Sequence, residues 1–261
     1  WVKKWEWLNN VINTHKDDNE GYDPAGVYLA TGDISYAQDC REKIRRWLQD
    51  RIWMLKNMGY TFHENVCIRL SRPLRLIAID YDLIADSQCF TESDRKWFDT
   101  TFAFLMNCMN DSDYWPDASI GFSKGNVNFH SDYFSTLGVL ACLLNNNPIS
   151  KDIVAFVERE IDKELQKCVY EGGAWIEAPN YQAYSMNYYS VLFASLKNNG
   201  YKDYYTDERF LSTMDFLANL QTPVDPRSKI CHIPTIGDTA LNYWSQSFQN
   251  VFAWAASMTK A

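Results

Sequence analysis

The sequence predicts an all-α protein built from antiparallel helix hairpins, and three observations carry that reading. Apolar residues recur at i, i+3 and i+4 through most of the chain, and no stretch alternates apolar and polar residues as a half-buried strand does. The chain holds only 11 glycines and 8 prolines in 261 residues, fewer than the roughly 12% of an average chain, which disfavours a many-turned β-sandwich. Helical segments then alternate with loops at a period of about 45 to 55 residues, as in stacked helix pairs of the solenoid or toroid kind. The repeat is architectural, because no sequence motif recurs.

In chain order, the first helix is expected over 1–14. Residues 36–58 place Ile44, Trp47, Leu48, Ile52 and Leu55 on one face, and Gly59 stops the helix. A helix over 73–85 follows. Thr91-x-x-Asp94 resembles a capping box with Asp at its last position, and it introduces Trp97, Phe98, Phe102, Leu105 and Met109 at helical spacing. Further helices are expected over 133–144, 151–169, 184–198, 207–220 and 239–257. Three longer connections remain, over 110–128, 171–183 and 221–238, and long polar and aromatic loops are where binding groups usually lie.

Hydrophobic residues make up 46% and charged residues 22%, so the chain can bury a core and one domain over 1–261 is expected. The net charge is −8, and Lys and Arg are interspersed with acids, which gives no basic face for nucleic acid or anionic lipid. The longest apolar runs, such as Leu137 to Leu144, fall short of the ~20 residues of a membrane span. The chain opens Trp1-Val2-Lys3-Lys4 with neither an initiator Met nor a signal-like stretch, and so reads as a segment of a longer precursor. Seven dispersed cysteines form no Cys-x-x-Cys, which removes zinc-ribbon and thioredoxin readings and leaves most of them as structural thiols. Gly-rich phosphate loops, His-Glu-x-x-His and Gly-x-Ser-x-Gly are absent from the sequence. Asp17-Asp18-Asn19-Glu20 precedes Gly21 and reads as a solvated loop rather than a helix-mounted metal motif.

The sharpest motif is Gly172-Gly173-Ala174-Trp175-Ile176-Glu177-Ala178-Pro179-Asn180-Tyr181-Gln182-Ala183-Tyr184-Ser185. It resembles the Gly-x-x-x-Glu-Gly-x-x-Tyr-x-x-Tyr stretch of heparinase II/III-like polysaccharide lyases and dermatan sulfate epimerases. It is also similar to the Ala-Trp-x-His-x-x-Asn-Tyr-x-x-Tyr-Ser stretch of chondroitin ABC lyases, with Glu177 where those enzymes carry a catalytic His. Asn126-Val127-Asn128-Phe129-His130 resembles the Asn/His element that opens a helix in these enzymes, where the pair is usually contiguous. Ile233-Pro234-Thr235-Ile236-Gly237-Asp238 resembles their downstream Pro-x-x-Gly-Asp element. Order and approximate spacing agree from about Ile79 to Asp238.

The resemblance implies an incomplete (α/α) toroid of antiparallel helix hairpins, part of a longer chain whose β-sandwich domain or domains are missing here. It implies cleavage of a uronic-acid polysaccharide by β-elimination and a periplasmic or secreted location. In that reaction the C5 proton becomes removable once the uronate carboxylate is neutralised. A tyrosine of reference pKa about 10 then moves protons, given nearby donors or positive charge. By resemblance Asn128 and His130 are the neutraliser and its partner or second base, with Asn126 as a competing asparagine. Tyr184, by the chondroitin comparison, or Tyr181, by the epimerase comparison, is the proton-transfer residue. With Tyr188 these tyrosines fall at i, i+3 and i+7, on one helix face; such a stripe is also how packing tyrosines are spaced.

The remaining candidates are binding residues. Trp115 and Trp175 offer flat faces to sugar C–H surfaces, or pack. Glu177 touches sugar or hydrogen-bonds loop backbone. Asp238 contacts sugar or caps a helix starting at Thr239, and His232 lies in the same loop. No cofactor is required, although a structural metal ion is compatible with the sequence; the expected partner is an anionic polysaccharide. Three other activities use the same residues differently: C5 epimerisation, glycoside hydrolysis by carboxylates drawn from Asp117, Glu177 and Asp238, and non-catalytic glycan binding.

Overall fold

A computed structural model describes residues 23–58, 70–110, 127–227, 229, 231–234 and 236–237. Among the described residues the chain is all-helical, with eight α-helices and no strand. The expected helices over 1–14 and 239–257 lie outside the described residues. No described helix is long and apolar enough to cross a membrane. The chain divides into two compact units, one of 1–64 and 73–105 and one of 65–72 and 106–261.

In the first unit α1 (Pro24–Thr31) is a short helix that the periodicity does not reveal, and it is fixed by local chemistry. Asp23 accepts from the Gly26 N–H at 3.0 Å, Pro24 occupies the first turn, and Gly32 closes the helix at φ 70°. Then come α2 (Ile34–Met58), α3 (Arg72–Ile84), whose first residue, Arg72, belongs to the second unit, and α4 (Glu92–Asn110), whose last turn also does. The box before α4 forms as its sequence predicts: Thr91 Oγ1 accepts from the Asp94 N–H at 3.1 Å, and Asp94 Oδ2 accepts from the Thr91 N–H at 2.9 Å. Tyr81 packs on Phe90, Phe98 and Phe102 at ring separations of 5.2 to 5.4 Å, in the edge-on and tilted geometries aromatic pairs prefer.

The second unit contains α5 (Val127–Leu143), α6 (Ser150–Cys168), α7 (Pro179–Asn198) and α8 (Glu208–Asn219). Bonds between helices give the directions. Asn128 meets Glu177 just before α7, and Asn145 meets Asn199 just after it, so α5 and α7 run parallel. His130 of α5 meets Glu164 late in α6, and the Ser150 hydroxyl at its start donates to the Leu144 carbonyl, so α6 runs antiparallel to α5. Gln182 meets Thr213 and Phe193 meets Phe210, so α8 packs on α7 through these side chains. α5 therefore lies against both α6 and α7. α5 is buried almost all round, as a helix enclosed by neighbours must be. A Cβ on Gly138 would lie 2.4 Å from Leu192 Cδ1, so glycine lets α5 and α7 approach closely here.

Two boundaries differ from the sequence pattern. α5 starts at Val127 rather than 133, and α7 at Pro179 rather than 184, so Asn128, His130 and Tyr181 lie on helices rather than in loops. Pro179 starts α7 because its fixed φ suits the first helical turn, while α5 owes its start to a tertiary cap described below. Of the described cysteines, Cys40, Cys89, Cys108, Cys142 and Cys168 are buried free thiols. Burial pushes Cys40, Cys142 and Cys168 up to about 12, so these thiols are unreactive.

Candidate functional site

The Gly172-Gly173 pair shapes the approach to the site. α6 ends at Cys168, and a tight turn pairs Val169 with Trp175 as the Tyr170 N–H donates to the Ala174 carbonyl at 2.8 Å. Gly172 and Gly173 hold φ of 79° and 85°, values that L-residues with a Cβ rarely adopt. A Cβ on Gly173 would lie 1.9 Å from the Ser212 carbonyl oxygen, so backbone of α8 occupies its place. Gly173→Ala is expected to cost about 1 to 3 kcal/mol of stability, measured by urea unfolding, whereas Gly172→Ala, which meets nothing within 4 Å, carries only the φ penalty.

That turn delivers Glu177 to the start of α5. Its Oε2 accepts from the Asn128 backbone N–H at 3.1 Å, and its Oε1 from Asn128 Nδ2 at 2.9 Å. The Trp175 indole N–H adds a third bond at 3.3 Å. Glu177 is thus a capping carboxylate delivered from 49 residues away, and it complements the positive end of α5. Burial pushes its carboxyl up, and the Asn128 and Trp175 donors pull against that. Glu177→Ala is expected to lower stability by about 1 to 2 kcal/mol, the range of a lost cap, read from the same unfolding curves. Trp175 is 5% exposed, so its polar edge serves Glu177 and little of its face is open.

His130 turns the other way, into a buried polar cluster. Its Nδ1 bonds Glu164, which also accepts from the Ser131 hydroxyl at 2.7 Å and from the Tyr189 hydroxyl. His130 Nε2 lies 3.9 Å from Glu160. Burial alone would pull the imidazole down, yet Glu164 and Glu160 more than reverse this and hold it up to about 9. His130 is therefore an imidazolium at neutral pH. Its hydrogen bond holds Glu160 down to about 2 against burial, while burial and Glu164 push Tyr189 far up and keep it a donor.

The stability consequence has a definite sign. His130 contributes fully below about pH 6.5, its unfolded value, and loses that contribution as pH rises through about 9. Glu160 contributes above about pH 4.3 and loses this as pH falls through about 2. The urea midpoint is expected to fall between pH 6 and pH 9.5, and His130→Gln should flatten that fall.

The tyrosines form a row along α7. Tyr181, Tyr184 and Tyr188 follow one another at ring separations of 6.2 Å, the first two half-buried and Tyr188 5% exposed. Arg72 lies over Tyr188 at 5.3 Å and donates from Nε to Asp132 Oδ2 at 3.0 Å, one turn beyond Asn128 on α5. The row begins one turn after Glu177 in sequence, and its Tyr188 end lies under Arg72.

The other candidates divide. Trp115 and Asp238 lie outside the described residues. His232 is half-buried, 3.8 Å from Asp225, and its backbone pairs with Thr222. Its loop reaches the site, since a Cβ on Gly237 would lie 3.1 Å from that of Ala178, next to Glu177. Among the described residues no cluster of three or more His, Cys, Asp or Glu side chains is arranged to hold a metal.

Sequence reasoning missed Glu164, Tyr189, Asp132 and Arg72. For Glu164 a clue existed: it stands in the buried stripe of Ile153, Val154, Val157, Ile161, Leu165 and Cys168, where an unpaired acid would not be tolerated. Compared with known families, characterised proteins and solved structures, this chain matches none.

Proposed function

We propose that this chain is the α/α-toroid part of a heparinase II/III-like or chondroitinase-like lyase, which cleaves a uronic-acid polysaccharide by β-elimination. A parallel pair, α5 and α7, with α6 running antiparallel to α5, is the local arrangement such a toroid repeats. β-Sandwich domains of the same protein would complete the cleft, and the location would be periplasmic or secreted. One observation carries the reading: a row of tyrosines, two of them half-buried, ends under an arginine, on the helix that follows the Asn128–Glu177 pair.

In this mechanism the uronate carboxylate is neutralised at the Asn128–Glu177 end. Asn128 Nδ2 is committed to Glu177, so a carboxylate placed there gains a donor when Glu177 takes up a proton, which its raised pKa favours. The C5 proton passes to Tyr184 or Tyr181, the electrons form the C4–C5 double bond, and the C4 oxygen leaves with a proton from a tyrosine or water. His130, buried and held by two carboxylates, is spent on that cluster and is not a free base.

A second reading, glycoside hydrolysis, draws on the raised carboxyl of Glu177 as general acid. Mass spectrometry of the products separates the two. Elimination gives an unsaturated non-reducing end with no water added across the cut; a saturated non-reducing end, heavier by one water per cut, would overturn the lyase reading in favour of hydrolysis.

A further inference from the structure

Arg72 and Asp132 play no part in the resemblance or in the proton transfers above, yet their geometry is not that of an ordinary surface pair. Asp132 is fully buried, whereas the Arg72 side chain is 35% exposed. The carboxylate accepts from Nε, and among the described residues the two terminal amino groups of Arg72 make no hydrogen bond. Arginine presents its donors as a rigid fork. Held by Asp132 at one edge and lying over the Tyr188 ring at 5.3 Å, the fork has its plane set and its terminal edge uncommitted. A planar pair of N–H donors in that state suits an oxyanion bound through two oxygens. Tyr184 stands next to Tyr188 in the row, and an aromatic face there suits the apolar side of a sugar ring.

We infer that Arg72 recognises the acidic group of the substrate, with Asp132 and Tyr188 orienting its guanidinium. This rests on the glycan-directed reading above and narrows it to glycans carrying an oxyanion one subsite from the reacting sugar. Carboxylate and sulfate share that chemistry. Fixed arginine forks hold an anion that lysine, a point charge, holds less well, so the two substitutions have different expected outcomes.

The test is equilibrium binding of hyaluronan, chondroitin sulfate and cellulose oligosaccharides to the full-length protein carrying Tyr184→Phe, with and without Arg72→Ala or Arg72→Lys. Arg72→Ala is expected to weaken binding of the acidic oligosaccharides roughly 10- to 100-fold and to leave the neutral one unchanged. Arg72→Lys should lie between them and also remains informative if the alanine variant misfolds. Chondroitin sulfate with methyl-esterified carboxyls assigns the source: retained dependence on Arg72 means sulfate, and its loss means carboxylate. Unchanged affinity in a folded Arg72→Lys or Arg72→Ala protein, or no binding of any acidic oligosaccharide by the parent, overturns the inference. Full elimination activity with Arg72→Ala removes this inference but keeps the lyase, whereas Arg72-dependent binding without unsaturated product keeps this inference but removes the lyase.

Discussion

Replacing Glu164 by alanine is expected to lower the unfolding free energy by about 3 to 5 kcal/mol. Glu164 is fully buried and answers three groups on two helices: His130 and Ser131 from α5, and Tyr189 from α7. Its removal leaves a buried imidazolium facing the more distant Glu160, 3.9 Å away, and it strands two hydroxyls whose desolvation was offset by the carboxylate. Glu164→Gln should cost less, because it keeps an acceptor oxygen but not the charge. Chemical denaturation monitored by tryptophan fluorescence measures both, and a loss below about 1 kcal/mol, the level of an exposed ion pair, would show that the cluster does not tie these helices together.

The second large effect is catalytic. Tyr184→Phe is expected to reduce kcat by roughly 100- to 10,000-fold, the usual range for general acid–base groups, with little change in KM. Tyr184 stands in the middle of the row, half-buried, with Tyr181 and Tyr188 as ring neighbours. The substitution removes one oxygen and leaves the stacking surface. Tyr181→Phe is expected to cost less, and the reverse order would move the proton-transfer role one turn along α7.

What could be read from the sequence was local. The face of α2, the Thr91–Asp94 box and the registration of Tyr181, Tyr184 and Tyr188 follow from periodicity and short-range bonds. The start of α5 escapes the sequence pattern because its cap, Glu177, comes from 49 residues away and no local rule announces it. Arg72 and Asp132 are 60 residues apart, and nothing beside either predicts the other. The placement of Asn128 and Glu177 together was likewise hidden, although each was singled out as a candidate on its own. Glu164 was the one hidden residue with a visible trace, an acid at a position the helix period reserves for the core.

The most direct measurement is the ultraviolet absorbance of C4–C5 unsaturated uronate as the full-length protein meets heparan, chondroitin, dermatan, hyaluronan and alginate in parallel. The Tyr184→Phe and Tyr181→Phe variants are run beside it. The account predicts growth of that absorbance on at least one glycan and its near-complete loss in Tyr184→Phe, with the variant still folded and still binding. Absence of unsaturated product on every uronan, while binding persists, would contradict β-elimination.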